Sequence, residues 1–252
     1  MKAAPARFTV AFLSVGMGVV IWWLASRHSN PMFLPSPLAT LDATVELWQD
    51  GTLLGAILAS GQRILIGWSL GLVVGIPLGL LMGYFRWVRM AFDPYIEFFR
   101  FIPPIAFVTL AVIWFGPGEA SKVSLIFYTT VFIVVLNMIA GVHSVHELRL
   151  RAAASLGAGQ IRTLATVVIP STVPYMVTGA RLAMGNSFLT IVSAEIVAAQ
   201  EGLGSLIWIA RNYARTEWVF VGIIALGLLG FLFDAALRAA STRLLSRYGV
   251  KV

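Results

Sequence analysis

The sequence has no cysteine and few charged residues. Among its 252 residues, only 12% are Asp, Glu, Lys or Arg, whereas 59% are hydrophobic and the mean hydropathy is +0.88. The lack of cysteine excludes disulfides, thiolate nucleophiles and cysteine metal ligands. A soluble domain has about 25% charged residues, so this chain has too few to cover a water-facing surface. The composition predicts an all-α, polytopic membrane protein.

Motifs of catalytic chemistry are missing as well. The sequence contains no G-x-x-x-x-G-K-[ST] phosphate loop, so the chain cannot hydrolyse ATP by that route. It also lacks an H-E-x-x-H zinc motif and the D-x-x-D carboxylate pair of a magnesium-dependent membrane transferase. His143, His146 and Glu147 do not have the spacing of metal ligands. We therefore expect no catalytic residue and no metal site.

The net charge of +7 is explained by membrane topology and gives no reason to expect nucleic acid. Lys and Arg collect on the cytoplasmic side of membrane proteins. An internal N-terminus puts most basic residues inside, so both termini are predicted to be cytoplasmic. The internal residues are then Lys2, Arg7, Arg86, Arg89, Arg149, Arg151, Arg162, Arg238, Arg243, Arg247 and Lys251, and the external ones are Arg27, Lys122, Arg211 and Arg215.

Six apolar stretches are long enough to cross a bilayer, which takes about 20 residues. They are residues 8–26, 61–85, 95–115, 121–142, 172–198 and 217–240. After the first, prolines interrupt the chain, and from Leu38 onward the helical spacing predicts a short amphipathic helix at the outer interface. We divide the chain into residues 1–60, the first span with this external segment, and residues 61–245, a core transmembrane domain.

Five glycines recur at every fourth position of the second span and so share one helix face. Small residues at this spacing let another helix approach closely in a membrane, where lipid gives no hydrophobic drive for association. The pattern predicts a tight helix contact, either inside the bundle or with a second subunit. The glycines are Gly67, Gly71, Gly75, Gly79 and Gly83.

Polar and helix-breaking residues in the third and fifth spans are candidates for a translocation pathway or gate. Two adjacent prolines free backbone carbonyls, which a membrane tolerates beside other helices or a cavity, so a pathway position and a structural kink both stay open. Ionisable groups within spans are expensive; Glu195 either lines the pathway or pairs with an external cation such as Lys122. The candidates are Pro103, Pro104, Asn186, Thr190, Ser193 and Glu195.

Three further features concern charged residues within the spans. Glu97 and Arg100 are three residues apart and are predicted to pair on one helix face. Asp234 and Arg238 form a second such pair, four residues apart. For Arg181 two alternatives stay open: its side chain reaches the inner interface, or it attracts an anionic substrate.

The segment 147–170 contains the longest run in the second half that cannot lie in a lipid core. It contains several charged residues, and glycine at 157 divides it into two short helices before a stop at Pro170. A linker needs fewer residues than this. The pattern therefore predicts a cytoplasmic docking surface made of two helical pieces.

At this segment the residues resemble a known family. Ala152-Ala153, Gly157 and Ile169-Pro170 resemble the EAA loop of bacterial ATP-binding-cassette importer permeases, which is that family's coupling helix. Four other stretches resemble the branch that imports nitrate, taurine, alkanesulfonates and bicarbonate. They are FIPPI at 101–105, IWFG at 113–116, EASK at 119–122 and AEIVAAQEGLG at 194–204.

The resemblance implies a permease of the type I importer fold in the bacterial inner membrane, working as a homodimer within the lipid bilayer. It implies two cytoplasmic ATPase subunits, which would hold ATP and Mg, and an external solute-binding protein; this chain itself would need no cofactor. The solute is expected to be small and anionic. The alternative from the residues is a self-contained channel or ion-coupled secondary carrier, with Glu195 as its coupling group.

The same resemblance implies which residues couple the permease to its ATPase. One of them departs from the family pattern, because Arg151 stands where the family usually has an acidic residue. Two alternatives stay open for this departure: a polar contact with the ATPase is lost, or the ATPase surface has a complementary charge. The implied coupling residues are Glu147, Arg151, Ala152, Ala153, Gly157, Arg162 and Pro170.

Overall fold

A computed structural model describes residues 4–198 and 200–245, and within these ranges all regular secondary structure is helical. The helices are α1 (Ala4–Arg27), α2 (Pro37–Gln49), α3 (Thr52–Tyr84), α4 (Arg86–Phe99), α5 (Val108–Phe115), α6 (Glu119–His143), α7 (Glu147–Ser155), α8 (Gln160–Thr163), α9 (Ile169–Ala198), α10 (Leu203–Asn212) and α11 (Thr216–Leu245). A 3-10 turn, Pro104–Phe107, precedes α5, and π-helical turns, Leu164–Val168, join α8 to α9. Lys2, Arg247 and Lys251, which entered the predicted orientation, lie outside the described residues.

Four of the predicted spans correspond to long apolar helices. In the described residues, α3, α6, the continuous helix Gln160–Val197 and α11 are each long and apolar enough to cross a membrane. The predicted third span is wrong as a single straight helix, since Arg86–Phe99 and Pro104–Phe115 meet at 91°. In α1 the apolar part, Phe12–Arg27, is shorter than the others. The chain is thus a multi-pass bundle that includes one sharply bent helix pair.

The helix of the second span is longer than predicted, because α3 begins at Thr52 and not at residue 61. The predicted amphipathic helix is present as α2, where the Ser36 side chain accepts a hydrogen bond from the Ala39 N–H at 3.1 Å. Leu47 of α2 and Leu53 of α3 are both buried in one cluster with residues of α10 and α11. The first turn of α3 is therefore packed against other helices although it precedes the most apolar stretch of α3.

The glycine stripe of α3 packs against α6 within the same chain. A Cβ atom built on Gly71 would lie 2.5 Å from Thr130 Cβ, and one on Gly79 would lie 2.6 Å from Met138 Cβ and 2.8 Å from the Val135 carbonyl oxygen. The contacts repeat along both helices in the same direction, so α3 and α6 run parallel. The same close approach occurs at Gly67, Gly75 and Gly83. The sequence predicted a contact either inside the bundle or with a second subunit, and the structure shows the contact inside the bundle, with α6.

Replacing a glycine of this stripe is therefore expected to destabilise the bundle. Gly79→Ala should lower the free energy of unfolding by about 1–3 kcal/mol, since its Cβ meets backbone atoms of α6 that cannot give way. Gly55→Ala, on the same helix with open space around it, should gain up to about 1 kcal/mol from helix propensity. Thermal unfolding in detergent measures both. Equal effects of the two substitutions would contradict this packing.

The predicted stop at Pro170 is wrong, because the helix continues through it. Residues Gln160–Val197 form one helix from the cytoplasmic segment across the membrane. Proline has no N–H and clashes with a carbonyl of the preceding turn in a regular α-helix. The wider π-helical turns immediately before Pro170 are a known way to interrupt the regular ladder. The second piece of the docking segment and the fifth span are therefore one continuous element, which begins at Gln160.

Candidate functional site

The segment 147–170, which the sequence predicts to be cytoplasmic, folds as two helical pieces around a glycine turn, as predicted. The His146 ring accepts a hydrogen bond from the Leu148 N–H at 3.3 Å and caps α7. Gly157 has a φ of +76°, a conformation that side chains disfavour, and its N–H donates to the Ala154 carbonyl at 2.9 Å. This turn reverses the chain, so that α8 returns towards the membrane.

Between the two pieces lies a cleft of about 830 Å³, which we call the cytoplasmic cleft. Three large apolar side chains of the same segment are highly exposed: Leu156, which lines the cleft, by 88%, Ile161 by 78% and Leu148 by 66%. Exposed apolar side chains clustered with arginines are typical of a protein-binding surface. The cleft is lined by Arg149, Ala152, Ala153, Leu156, Ala158, Arg162, Thr166, Val167, Pro170 and Ser171.

Glu147 and Arg151, two of the implied coupling residues, pair with each other on the outer side of α7. The Arg151 guanidinium lies 2.7 Å from the Glu147 carboxylate, and both side chains are about 70% exposed. Neither residue lines the cytoplasmic cleft, whereas Ala152, Ala153 and Arg162 do. The cation that departs from the family pattern thus has an acidic partner one helical turn earlier.

A second cavity, of about 340 Å³, lies at the middle of α6 and α9 and is called the mid-membrane cavity here. It brings together Pro103, Pro104 and Asn186, three of the predicted pathway residues. Thr190 is buried, and its hydroxyl lies 3.0 Å from that of Thr129, which lines the cavity. The full lining is Arg100, Phe101, Ile102, Pro103, Pro104, Tyr128, Thr129, Phe132, Ile133, Leu136 and Asn186.

The break at Pro103-Pro104 is satisfied by a side chain of α6. The Tyr128 hydroxyl shares its proton between the carbonyls of Phe99, at 2.5 Å, and Ile102, at 3.2 Å. Pro103 has no N–H for the Phe99 carbonyl, which accepts from the Ile102 N–H at 3.0 Å as well as from Tyr128. A bend of this kind is tolerated in a membrane only where such partners exist. The structural kink is therefore present, and both prolines line the mid-membrane cavity, while their place in a translocation pathway stays a prediction.

Glu195 lies at the end of the bundle that the sequence predicts to be external, and away from the mid-membrane cavity. Its side chain is fully buried, and Arg63 of α3 pairs with it at 2.7 Å. Ser60 donates to the same carboxylate at 2.7 Å, and the Gly204 N–H donates at 2.8 Å. The predicted partner Lys122 instead lies 3.3 Å from Glu119. The expected cation is thus corrected to Arg63, which the long α3 carries to the carboxylate.

Arg63 links two acidic residues that are far apart in the sequence. Its Nη2 atom donates to Glu119 at 2.7 Å, and its Nη1 atom donates both to Glu195 and to the Glu201 carbonyl at 2.7 Å. A Cβ on Gly202, which has a φ of +128°, would lie 2.4 Å from the Glu195 carboxyl carbon. The outer ion cluster, Ser60, Arg63, Glu119 and Glu195, therefore joins α3, α6 and α9 to the start of α10.

Comparison with known proteins identifies the family to which this arrangement belongs. Residues 75–246 match the family described as binding-protein-dependent transport system inner membrane component. The chain belongs to this family. It is therefore a multi-pass inner membrane protein, and the matched range contains the cytoplasmic cleft, the mid-membrane cavity and Glu195. Arg63 lies before the matched range.

Relatives with the same architecture are permeases of importers. The chain is 36% identical over 248 residues to the taurine transport system permease protein TauC of Escherichia coli, covering 96% of this chain and 90% of the relative. It is 35% identical to the putative aliphatic sulfonates transport permease protein SsuC of Escherichia coli, covering 89% and 86%. It is 31% identical to the nitrate import permease protein NrtB of Synechocystis, covering 88% and 84%.

The fold of this permease also matches a solved importer. An inward-facing structure of the MetNI methionine ABC transporter superposes with a TM-score of 0.64, covering 76% of this chain and 97% of that chain at 16% identity. At this identity the match concerns the fold alone. It confirms the type I importer permease fold that the sequence motifs implied.

Sequence reasoning missed the charged partners that come from distant helices. Arg181 was expected either to reach the inner interface or to attract an anionic substrate. Its guanidinium instead donates two hydrogen bonds to the Asp234 carboxylate of α11, at 2.8 and 3.1 Å. Asp234 also pairs with Arg238 at 2.7 Å, as predicted. The sequence could have predicted an acidic partner for Arg63, because a single arginine inside the long apolar α3 requires a buried counter-ion.

Proposed function

We propose that the chain and a second copy of itself form the translocation pathway of an ATP-driven importer for a small anionic solute. Two cytoplasmic ATPase subunits would hold ATP and Mg and perform hydrolysis, while an external binding protein would deliver the solute. The cytoplasmic cleft is the main observation behind the proposal. The chain has no phosphate loop, so ATP hydrolysis needs a partner, and the segment that forms the cleft exposes two leucines and an isoleucine that a partner could bury. An ATPase subunit is the partner that this surface fits in the family.

The choice of solute is supported by what the relatives are named for. Taurine, aliphatic sulfonates and nitrate all carry a compact oxyanion group. The mid-membrane cavity of about 340 Å³ is large enough for such a group with part of its hydration, given that a water molecule takes about 30 Å³. A small sulfonate, or a nitrate-like anion, is therefore the proposed solute.

The continuous helix from Gln160 to Val197 supports a mechanism for coupling. Its cytoplasmic end borders the cleft and its outer end reaches the Glu195 cluster. When the ATPase subunits close on ATP, movement at the cleft would tilt this helix and open the pathway alternately to each side. Orientation with both termini in the cytoplasm, as the distribution of basic residues predicts, places the cleft on the ATPase side.

The alternative, a channel or ion-coupled carrier that works alone, would need Glu195 to exchange ions with the pathway. Its carboxylate is fully buried and held by Arg63, Ser60 and the Gly204 N–H. A group so enclosed is suited to holding helix ends together. Burial therefore favours the importer over the carrier.

Reconstitution tests the proposed function. In proteoliposomes that contain the permease, its ATPase and the loaded binding protein, we expect solute uptake that requires ATP and is abolished when any one component is omitted. The matched control uses the ATPase inactivated in its own phosphate loop. Uptake by the permease alone, driven by an ion gradient without ATP, would contradict the proposal and establish the carrier.

A further inference from the structure

Arg100 is a positively charged residue in the wall of the mid-membrane cavity, and the function proposed above gives it no role. It lies where α4 ends, beside the Pro103-Pro104 break, and among the described residues that line the mid-membrane cavity it is the charged one. A charged side chain at this depth is expensive and by default indicates function.

The surroundings of Arg100 hold its charge without enclosing it. Its Nη2 atom lies 2.7 Å from the Glu97 carboxylate, and its guanidinium carbon lies 4.5 Å from the centre of the Phe101 ring. The two charged side chains remain 33% and 53% exposed, respectively. The pair predicted from the sequence is thus present, yet its geometry leaves the guanidinium accessible to a second anion.

Other polar side chains of the cavity are already engaged with the backbone. Tyr128 donates to two carbonyls at the break, Thr129 donates to the Leu125 carbonyl at 3.1 Å, and Asn186 donates to the Leu182 carbonyl at 3.0 Å. These groups make the cavity polar but supply no positive charge. Among the described residues that line the cavity, Arg100 is therefore the one that can attract an anion by its charge.

We infer that Arg100 binds the oxyanion group of the solute midway across the membrane and exchanges Glu97 for it as counter-ion. This inference rests on the proposed function and names its solute contact. A guanidinium presents a planar fork of N–H donors that matches two oxygens of a sulfonate or nitrate. When the solute leaves, Glu97 takes back the guanidinium, so the cation is never left unpaired in the membrane.

Transport per ATP hydrolysed tests this role, measured with taurine or nitrate in the complete reconstituted complex. Arg100→Gln should lower the solute moved per ATP at least about tenfold, because a charge-assisted bidentate contact is lost. Stimulation of the ATPase by the loaded binding protein should stay within about twofold of wild type. Arg100→Lys, which keeps the charge, should retain part of the transport.

Two variants separate anion binding from mere neutralisation of Glu97. The double variant Glu97→Gln with Arg100→Gln leaves no orphan charge and is expected to stay as defective as Arg100→Gln. Arg89→Gln, which removes another ion pair of α4 outside the cavity, should transport normally. Wild-type transport per ATP in Arg100→Gln, or recovery above half in the double variant, would overturn the inference. A wild-type complex without stimulated ATPase would instead contradict the proposed function.

Discussion

Arg63→Met is expected to destabilise the permease by about 3–5 kcal/mol, because it leaves the Glu195 carboxylate buried without a cation. The Glu195 side chain is 0% exposed, so water cannot replace the lost partner. Ser60 and the Gly204 N–H would still donate to the carboxylate, but neither carries a charge. Thermal unfolding in detergent should show a fall of about 10 °C for this size of change.

Two further variants assign the effect to the unpaired charge. Arg63→Met combined with Glu195→Gln removes both charges and keeps an oxygen for Ser60, so most of the lost stability should return. Arg215→Met breaks two partly exposed pairs, with Glu46 and with Glu217, and should cost only about 1–2 kcal/mol. If the double variant is no more stable than Arg63→Met, burial of the charge is not the cause.

The protonation state of Arg215 does not explain the small effect expected from its substitution. The neighbouring Glu217 carboxylate, and Glu46 beside it, raise the pKa of Arg215 above its already high value. The group is therefore charged at every pH used for transport, and the stability it contributes is lost only above its unfolded pKa. Its small expected effect follows from solvent exposure, since the charge itself is always present.

Periodic features of the fold could be predicted from the sequence. The four-residue glycine repeat identified the face of α3 that meets α6, since a helix places such positions in one line. Charge and glycine together identified the cytoplasmic segment 147–170. Local spacing carries this information because the residues that act together are neighbours on one helix.

Contacts between distant helices could not be predicted in the same way. Arg63 and Glu195 are 132 residues apart, and nothing in local spacing chose Arg63 over Lys122. The 91° bend at Pro103-Pro104 is accompanied by hydrogen bonds from Tyr128 of another helix to the Phe99 and Ile102 carbonyls. Similarly, Pro170 predicts a helix end by itself, whereas the helix continues through it after a stretch of π-helical turns. In each case the deciding atom lies on another helix or in the backbone geometry.

Loss of ATPase binding is the largest functional effect expected from a single substitution in the cytoplasmic segment. Leu156→Glu should weaken binding at least about 30-fold, since a leucine at 88% exposure is poised to be buried by a partner and a carboxylate there would be desolvated. Gly157→Pro should abolish binding, because proline cannot adopt the φ of +76° at the turn. Co-purification with the ATPase and its Kd in nanodiscs measure both, with the membrane-inserted fraction as the check on folding.

The neighbouring positions of the same turn provide the controls. Gly159→Ala has open space and an ordinary φ of −71°, so it should bind the ATPase normally; normal binding by Leu156→Glu as well would remove the cleft as the docking surface. Arg151→Glu sets two carboxylates one turn apart, a change worth only a few tenths of a kcal/mol on an exposed helix face. A larger loss of ATPase coupling in that variant therefore has to come from the partner, and would show that the ATPase surface is matched to arginine at this position.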